Sequence, residues 1–298
     1  MTNLVSIVIP AKNEAAALEK LLPNIRQVMP DSEIIVINDG STDNTIAVCE
    51  QCDVICVTHP YSKGNGSAIK TGARTARGDI LVFMDGDGQH DPNDIPKMLD
   101  LLARGYDMVV GARDRASQAS LGRLAANTLY NNLSSWMVGH EVKDLTSGFR
   151  AVRAGYFKQF LSLLPNGFSY PTTITMAFFR AGYSVAYLPI VAAQRIGKSH
   201  ISLSRDGVRF LLIIFKVGTL FSPLKLFTPI SLAFFFTGLT YYMYTFWTAG
   251  RFTNMSALLL SISVLVFLMG LISEQVTNLM YSQRGGPRAS DLRPDDDS

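Results

Sequence analysis

Five apolar runs of strand length recur along the first 113 residues: "LVSIVIP" (4–10), "EIIVIND" (33–39), "DVICVTH" (53–59), "DILVFMD" (79–85) and "DMVVGAR" (107–113). Between them the apolar positions switch to helical spacing, over 14–28, 43–51, 65–77 and 93–104. Strands joined by helix-length crossovers predict an α/β domain with a parallel, doubly wound sheet covered on both faces. Ligands bind such sheets at the carboxyl ends of the strands. That rule puts Asp39, after the second run, and Asp85 and Asp87, after the fourth, on one rim.

From about 111 to 207 the periodicity weakens and basic residues outnumber acids. Beyond, the pattern changes again. "LFTPISLAFFFTGLTYYMYTFW" (226–247) has no charge over 22 residues. As a helix it measures about 33 Å, matching a hydrocarbon core of about 30 Å. A second apolar stretch, 256–280, is interrupted only by Glu274, which falls near an interface. The short "TAGRFTN" between them predicts a transmembrane hairpin. One Arg lies in that connection, whereas Arg209, Lys216 and Lys225 precede the pair and Arg284, Arg288 and Arg293 follow it, so both termini are expected in the cytoplasm. The expected organisation is a catalytic domain over 1–207, interfacial amphipathic helices over 208–225, the hairpin over 226–280 and a disordered acidic tail over 281–298. "FFFTGLTYY" offers a lateral packing face for a homo-oligomer.

Composition adds little beyond this. Hydrophobic residues make up 48% of the 298, in keeping with membrane spans, and a formal charge of +3 gives no reason to invoke a nucleic acid. Cys49, Cys52 and Cys56 are too few for a structural zinc site and read as small buried hydrophobes in a reducing compartment. The N-terminus lacks the basic region and apolar core of a signal peptide.

The chemistry gathers at "FMDGDGQHDP" (83–92), where a buried-looking strand ends in like charges. Asp91 and Asp94 suit the first turn of the helix that follows. Asp85 and Asp87 do not, and hard oxygen ligands two residues apart around a glycine turn suit Mg2+ or Mn2+ bound together with a substrate phosphate.

Six segments, "VSIVIPAKNE", "VINDGSTDNT", "KGNGSAIKTGA", "FMDGDGQHDP", "VVGAR" and "DLTSGFRAVR", resemble in order and spacing the family 2 glycosyltransferases of the GT-A fold. The chain is most similar to the polyprenyl-phosphate group that includes dolichyl-phosphate mannose synthase, over about residues 4–205 and again in the C-terminal hairpin. The resemblance implies a nucleotide diphosphate sugar, carrying UDP or GDP, held by Pro10, Ala11, Asn13, Glu14, Asp39, Asp85 and Asp87. It implies a metal at Asp85, Asp87 and Gln89, and an acceptor phosphate or closing loop served by Arg113, Arg123, Asn127, Arg195 and Lys198. Asp87, Arg113 and Arg123 carry the catalytic expectation. Two departures stand out: Asn127 occupies a position where relatives carry a small hydroxyl residue, and His200 follows Ser199 where they carry Lys, leaving Lys198 to supply that charge.

The reaction expected is inverting transfer of one sugar to undecaprenyl or dolichyl phosphate at the cytoplasmic face of a membrane, a bacterial inner membrane rather than the endoplasmic reticulum. A phosphate acceptor is already anionic and needs no general base. None is evident: His90 directly follows the metal motif, and His59, His140 and His200 show no carboxylate partner in the sequence. The alternative is a hydroxyl acceptor on a lipid or glycan, with Asp144 as base; under the phosphate reading Asp144 and Arg150 position loops. A catalytically silent membrane scaffold is a third reading, against which the intact acidic motif argues.

Overall fold

The computed structural model describes residues 4–113, 121–167, 169–191, 215 and 218–282. The chain divides into two compact units, 1–202 and 203–298.

In the first unit, β1 (Val5–Ala11), α1 (Ala15–Val28), β2 (Glu33–Asn38), α2 (Thr45–Gln51), β3 (Ile55–Thr58), α3 (Asn65–Thr75), β4 (Ile80–Phe83), α4 (Asp94–Ala103) and β5 (Met108–Arg113) alternate as the sequence pattern predicts. There follow α5 (Leu121–Val138), β6 (Arg150–Arg153), α6 (Ala154–Gln159), α7 (Tyr170–Arg180) and β7 (Val185–Ile190). The seven strands form one sheet in the order β3-β2-β1-β4-β6-β5-β7.

Pairing is parallel throughout except at β6, which runs antiparallel to both β4 and β5. The sheet is therefore mostly parallel, as the resemblance to the GT-A fold implies. Neither β6 nor β7 emerges from the sequence pattern. "RAVR" is four residues with arginine at both ends, and "VAYLPI" contains a proline, which only an edge strand such as β7 accommodates.

The inner strands are buried on both faces. Every residue of β2 after Glu33 is buried, as expected for a strand covered by helices on each side. Ile7, Ile9, Leu18, Leu22, Val36, Val82, Met98 and Val109 form the centre of this core. α1 contributes Leu18, Leu21, Leu22 and Ile25 from one face, at the 3-4 spacing that a helix laid on a sheet requires.

This topology sets the position of the site. The carboxyl ends of β1, β2, β3, β4, β5 and β7 share one rim, and the antiparallel β6 brings the segment before it, 144–149, to the same rim.

In the second unit, α8 (Pro223–Ala249) and α9 (Asn254–Ser282) pack along their length, joined by a turn in which Gly250 caps α8 with a left-handed conformation. Both helices are long and apolar enough to cross a membrane. Their seam is lined by buried Ser231, Thr245, Ser256, Ser263 and Thr277, and the Ser231 hydroxyl donates to the Ser263 carbonyl at 2.9 Å. Phe236, Tyr244, Phe246, Trp247, Leu265 and Ile272 point outward. Polar inside and apolar outside is the arrangement expected in lipid, where helices gain nothing from burying leucine and associate through small and hydroxyl side chains. Glu274 accepts the Leu224 amide at 3.4 Å, so the one acid of the hairpin sits at the start of α8. Of the interfacial segment expected over 208–225, residues 215 and 218–225 are described, helical over 218–221 and again from Pro223 at the start of α8; 283–298 of the tail lie outside the described residues.

Candidate active site

The loops after β1 and β2 are stitched together. Asn13 takes a left-handed conformation at φ 57°. Its amide donates to Ser41 Oγ at 2.9 Å and its side-chain oxygen accepts the Thr42 amide at 2.7 Å. Asp43 accepts the Ala15 amide at the head of α1 and both the amide and hydroxyl of Thr45 at the head of α2. One carboxylate thus caps two helices, each of which leaves unpaired N–H groups at its start. Pro10, Ala11 and Glu14 follow directly along this edge, with Ala11 buried.

Asp39 lies at the end of β2 and is almost fully enclosed. His59 Nδ1 lies 2.7 Å from its Oδ1, and the Lys63 amide donates to the same oxygen at 2.8 Å. Its Oδ2 accepts the Ser62 hydroxyl at 2.8 Å and the Gly64 amide at 2.9 Å. Burial pushes this carboxyl up, yet these four hydrogen bonds hold it below the ordinary range. Four lone-pair directions are all a carboxylate has. Asp39 therefore fastens the 59–64 segment beside the rim, with all four of its acceptor directions engaged by that segment. His59, which shows no carboxylate partner in the sequence, has one here across twenty residues, with its Nε2 2.9 Å from Thr71 Oγ1.

Beyond the Lys63 and Gly64 amides that hold Asp39, the run "KGNGS" is spent on packing. The Gly66 and Ser67 amides donate to the carbonyls of Gly167 and Asn166, and a Cβ on Gly66 would meet the Pro165 carbonyl at 2.1 Å. This run docks α3 onto the 165–167 loop.

Asp85 and Asp87 follow β4, separated by Gly86, where a Cβ would fall 3.2 Å from the Pro10 carbonyl. The absence of a side chain lets the acidic turn lie against the end of β1 and brings Asp85 and Asp87 beside Pro10 and Ala11. Asp87 is buried and its Oδ1 accepts the Gln89 amide at 3.2 Å. Asp85 keeps a third of its side chain exposed, and His90 Nε2 lies 3.5 Å from its Oδ2. Burial pushes the Asp85 carboxyl up, but His90, Arg113 and Arg150 together hold it below its ordinary value. Asp94 lies in the first turn of α4 as expected and pairs with Lys97, whereas Asp91 precedes the helix and accepts the Asn93 amide.

Arg113 ends β5 and forms a two-pronged pair with Asp144. Nε donates to Oδ2 at 2.8 Å and Nη2 to Oδ1 at 3.1 Å, while Nη2 also reaches Thr146 Oγ1 at 2.6 Å. Asp144 further accepts the amides of Arg113, Thr146 and Ser147. Burial pushes its carboxyl up, but Arg113 and these amides keep it low; burial in turn pulls the Arg113 guanidinium down, and Asp144 and Asp85 raise it again. The loop carrying Asp144 is held by Asn131 of α5, whose Nδ2 donates to the Lys143 carbonyl and whose oxygen accepts the Leu145 amide. Sequence reasoning gives no role to Asn131 or Thr146, since each is an ordinary polar residue until the fold brings it to Asp144.

Arg123 and Asn127 lie on the first turns of α5, where the helix is described but those side chains are not; Arg195, Lys198 and His200 lie outside the described residues. His140 stacks on Phe179 away from this rim.

The donor set suits a hard divalent cation. Among the described residues no three His, Cys, Asp or Glu side chains converge, so Asp85 and Asp87 are a pair of carboxylates without a third. That is the composition of an Mg2+ or Mn2+ site completed by water and phosphate oxygens rather than of an all-protein cage. Cys49, by contrast, is packed in the core beside Cys56.

The rim of this α/β sheet thus carries two carboxylates just after β4 and, across β6, a carboxylate-held arginine at the end of β5, an arrangement suited to a phosphorylated donor. The chain belongs to glycosyl transferase family 2, whose profile matches residues 6–161, and the GtrB C-terminal hairpin profile matches residues 222–279. It is similar to the polyprenol monophosphomannose synthase of Mycolicibacterium smegmatis, with 30% identity over 212 residues covering 66% of this chain and 80% of the relative. The undecaprenyl-phosphate mannosyltransferase of Micrococcus luteus is 29% identical over 214 residues, 65% of this chain and 86% of that one. Among solved structures, glucosyl-3-phosphoglycerate synthase from Mycobacterium tuberculosis, in complex with Mn2+, UDP and glucosyl-3-phosphoglycerate, superposes with a TM-score of 0.58 at 23% identity over 72% of this chain and 78% of that one, a likeness of fold.

Proposed function

We propose that this glycosyltransferase moves a single sugar from a nucleoside diphosphate sugar to a polyprenyl phosphate at the cytoplasmic surface of a membrane. Its relatives in M. smegmatis and M. luteus bear names of that chemistry, and a hairpin long and apolar enough to cross a membrane suits an enzyme with a lipid acceptor. The carboxyl ends of β4, β1, β2 and β3 are consecutive along the rim. Three strand spacings of about 4.8 Å make about 14 Å, room for an extended nucleoside diphosphate with its diphosphate at β4 and its base toward β3.

The observation that carries the choice of acceptor is the Arg113–Asp144 pair. A general base needs a free lone pair and a pKa near the working pH. Asp144 has neither, because its oxygens are occupied by guanidinium, amide and hydroxyl donors and its pKa is held low. The pair supplies instead a rigidly oriented cation, which an anionic acceptor requires and a hydroxyl acceptor does not.

In the reaction, an acceptor phosphate oxygen attacks C1 of the sugar, the bond from C1 to the diphosphate oxygen breaks, and the nucleoside diphosphate departs with the electron pair. A single displacement inverts the configuration, and no proton changes hands. Asp85, Asp87 and Gln89 would hold Mg2+ or Mn2+, and a cation bound there would supply positive charge to the leaving diphosphate. Arg113 steadies the incoming phosphate, and Arg123, Asn127, Arg195 and Lys198 complete the anion-binding set. The 10–14 segment and the wall that Asp39 fastens enclose the nucleoside. The hairpin spans the membrane with both termini on the cytoplasmic side, in a bacterial inner membrane.

Acceptor discrimination tests this. Undecaprenyl phosphate should yield a labelled lipid, and undecaprenol, lacking the phosphate, should yield none. Comparable transfer to both would favour the hydroxyl reading.

A further inference from the structure

The segment Ser147–Arg150 enters β6 and closes over Asp85 from the far side of the rim. Gly148 is in contact with the carboxylate: a Cβ placed there would lie 2.7 Å from Oδ2 and 3.0 Å from Oδ1. Phe149 stacks on His90 with centroids 4.9 Å apart and planes at 22°. That stacking holds the imidazole with Nε2 3.5 Å from Asp85 Oδ2. His90 is 7% exposed, and its Nδ1 is buried without a partner. A buried ring nitrogen left unsatisfied carries a desolvation penalty, so the placement is maintained against a cost.

The segment cannot move away, because two of its consecutive carbonyls are held from behind. Arg150, fully buried, donates Nη2 to the Ser147 carbonyl and Nη1 to the Pro171 carbonyl and Thr175 Oγ1 of α7. The Tyr170 hydroxyl donates to the Gly148 carbonyl at 3.2 Å, and its ring lies under the Arg150 guanidinium at 5.7 Å. The Arg150 Nε has no partner, so this side chain also departs from full satisfaction while bracing the segment.

We propose that this segment presets the first carboxylate of the rim, with His90 and Gly148 as positioning residues that leave Asp85 one orientation, open toward the rim. The inference rests on the reading that Asp85 and Asp87 face a divalent cation. Its consequence concerns metal affinity rather than folding: a carboxylate held in the binding orientation loses no rotamer freedom when the cation arrives.

The test is Mn2+ titration of the full-length protein in detergent, followed by electron paramagnetic resonance with and without UDP, together with thermal midpoints. The proteins are wild type, His90→Leu, His90→Gln and Gly148→Ala. His90→Leu removes the contact and should weaken Mn2+ binding about 10–100-fold, as loss of a residue behind a metal ligand does. His90→Gln, which places an amide nitrogen near the Nε2 position, should recover most of the affinity. Gly148→Ala should act like His90→Leu; if it fails to fold, the His90 pair decides. His90→Leu binding Mn2+ as tightly as wild type, even with a lowered thermal midpoint, would overturn the proposal and leave a packing role. Wild type that binds no Mn2+ with or without UDP would overturn the metal reading itself, and this proposal with it.

Discussion

Replacing Asp144 by Asn separates the two chemistries. The substitution keeps the shape and one oxygen, which can go on accepting Arg113 Nη2 and the Thr146 and Ser147 amides at the Oδ1 position. The second oxygen becomes an NH2 facing two donors, Arg113 Nε, now 2.8 Å from Oδ2, and the Arg113 amide at 3.3 Å. Breaking one side of a fully buried ion pair costs about 3–5 kcal/mol. The Arg113 side chain is 31% exposed and regains some hydration. About 2–3 kcal/mol is therefore the expected loss of stability.

Catalysis should suffer through Arg113, which keeps its charge and loses its orientation. The expected signature is a KM for polyprenyl phosphate raised about tenfold or more, with kcat falling less, the pattern of lost binding rather than of a lost base. The assay is steady-state transfer at saturating donor with acceptor varied. If kcat instead fell by 10²–10⁴, the range of a general base, while the acceptor KM stayed at its wild-type value, the assignment would be wrong and Asp144 would be the base. A pH series adds an independent check. The folded-state pKa of Asp144 lies below its ordinary 3.8, so its stabilisation is complete above that value and is lost as pH falls through the depressed one. The gap in thermal midpoint between wild type and Asp144→Asn should persist from neutral pH down to about pH 4 and close below it.

Other expectations follow from neighbouring contacts. His59→Phe removes one of four bonds to Asp39 and should raise the donor KM severalfold with little change in kcat, read by initial rates; an unchanged donor KM would separate the 59–64 segment from the donor site. Gly66→Ala drives a Cβ into the Pro165 carbonyl, so α3 must shift, and circular dichroism melting should show a destabilisation of about 2 kcal/mol or more. Cys49 donates to the Cys56 thiolate, lowering Cys56 to about 7 while Cys49 itself is pushed up. Alkylation of Cys56 followed by mass spectrometry should therefore reach its midpoint at a lower pH than for an ordinary thiol, and Cys49→Ala should move that midpoint upward.

β1 to β5 are legible because each is an apolar run bounded by polar residues, whereas β7, on the same rim, is interrupted by Pro189. β6 is not legible, since the buried Arg150 makes "RAVR" read as surface. Its charge is tolerated only because carbonyls from 147 and 171 surround it, and no local pattern announces such a partner. The acidic turn stands out from sequence because like charges after an apolar strand demand a counter-charge. The partners of His59 and His90 were out of reach for the opposite reason. Asp39 and His59 meet only because β2 and β3 are adjacent, while Asp85 and His90, five residues apart, meet only because Phe149 stacks the ring into place. Arg113 is prominent as the residue ending a strand, but its pairing with Asp144 depends on β6 returning the chain to the rim.

The central claim is best tested by transfer of radiolabelled sugar from a panel of UDP- and GDP-sugars to undecaprenyl phosphate, with Mg2+ or Mn2+ present or chelated, in wild type and Asp87→Asn. A labelled lipid formed from one donor, lost on chelation and reduced at least a hundredfold by Asp87→Asn, is the predicted result. Labelled lipid that persists undiminished in Asp87→Asn and under chelation, or transfer only to hydroxyl acceptors, would contradict the account.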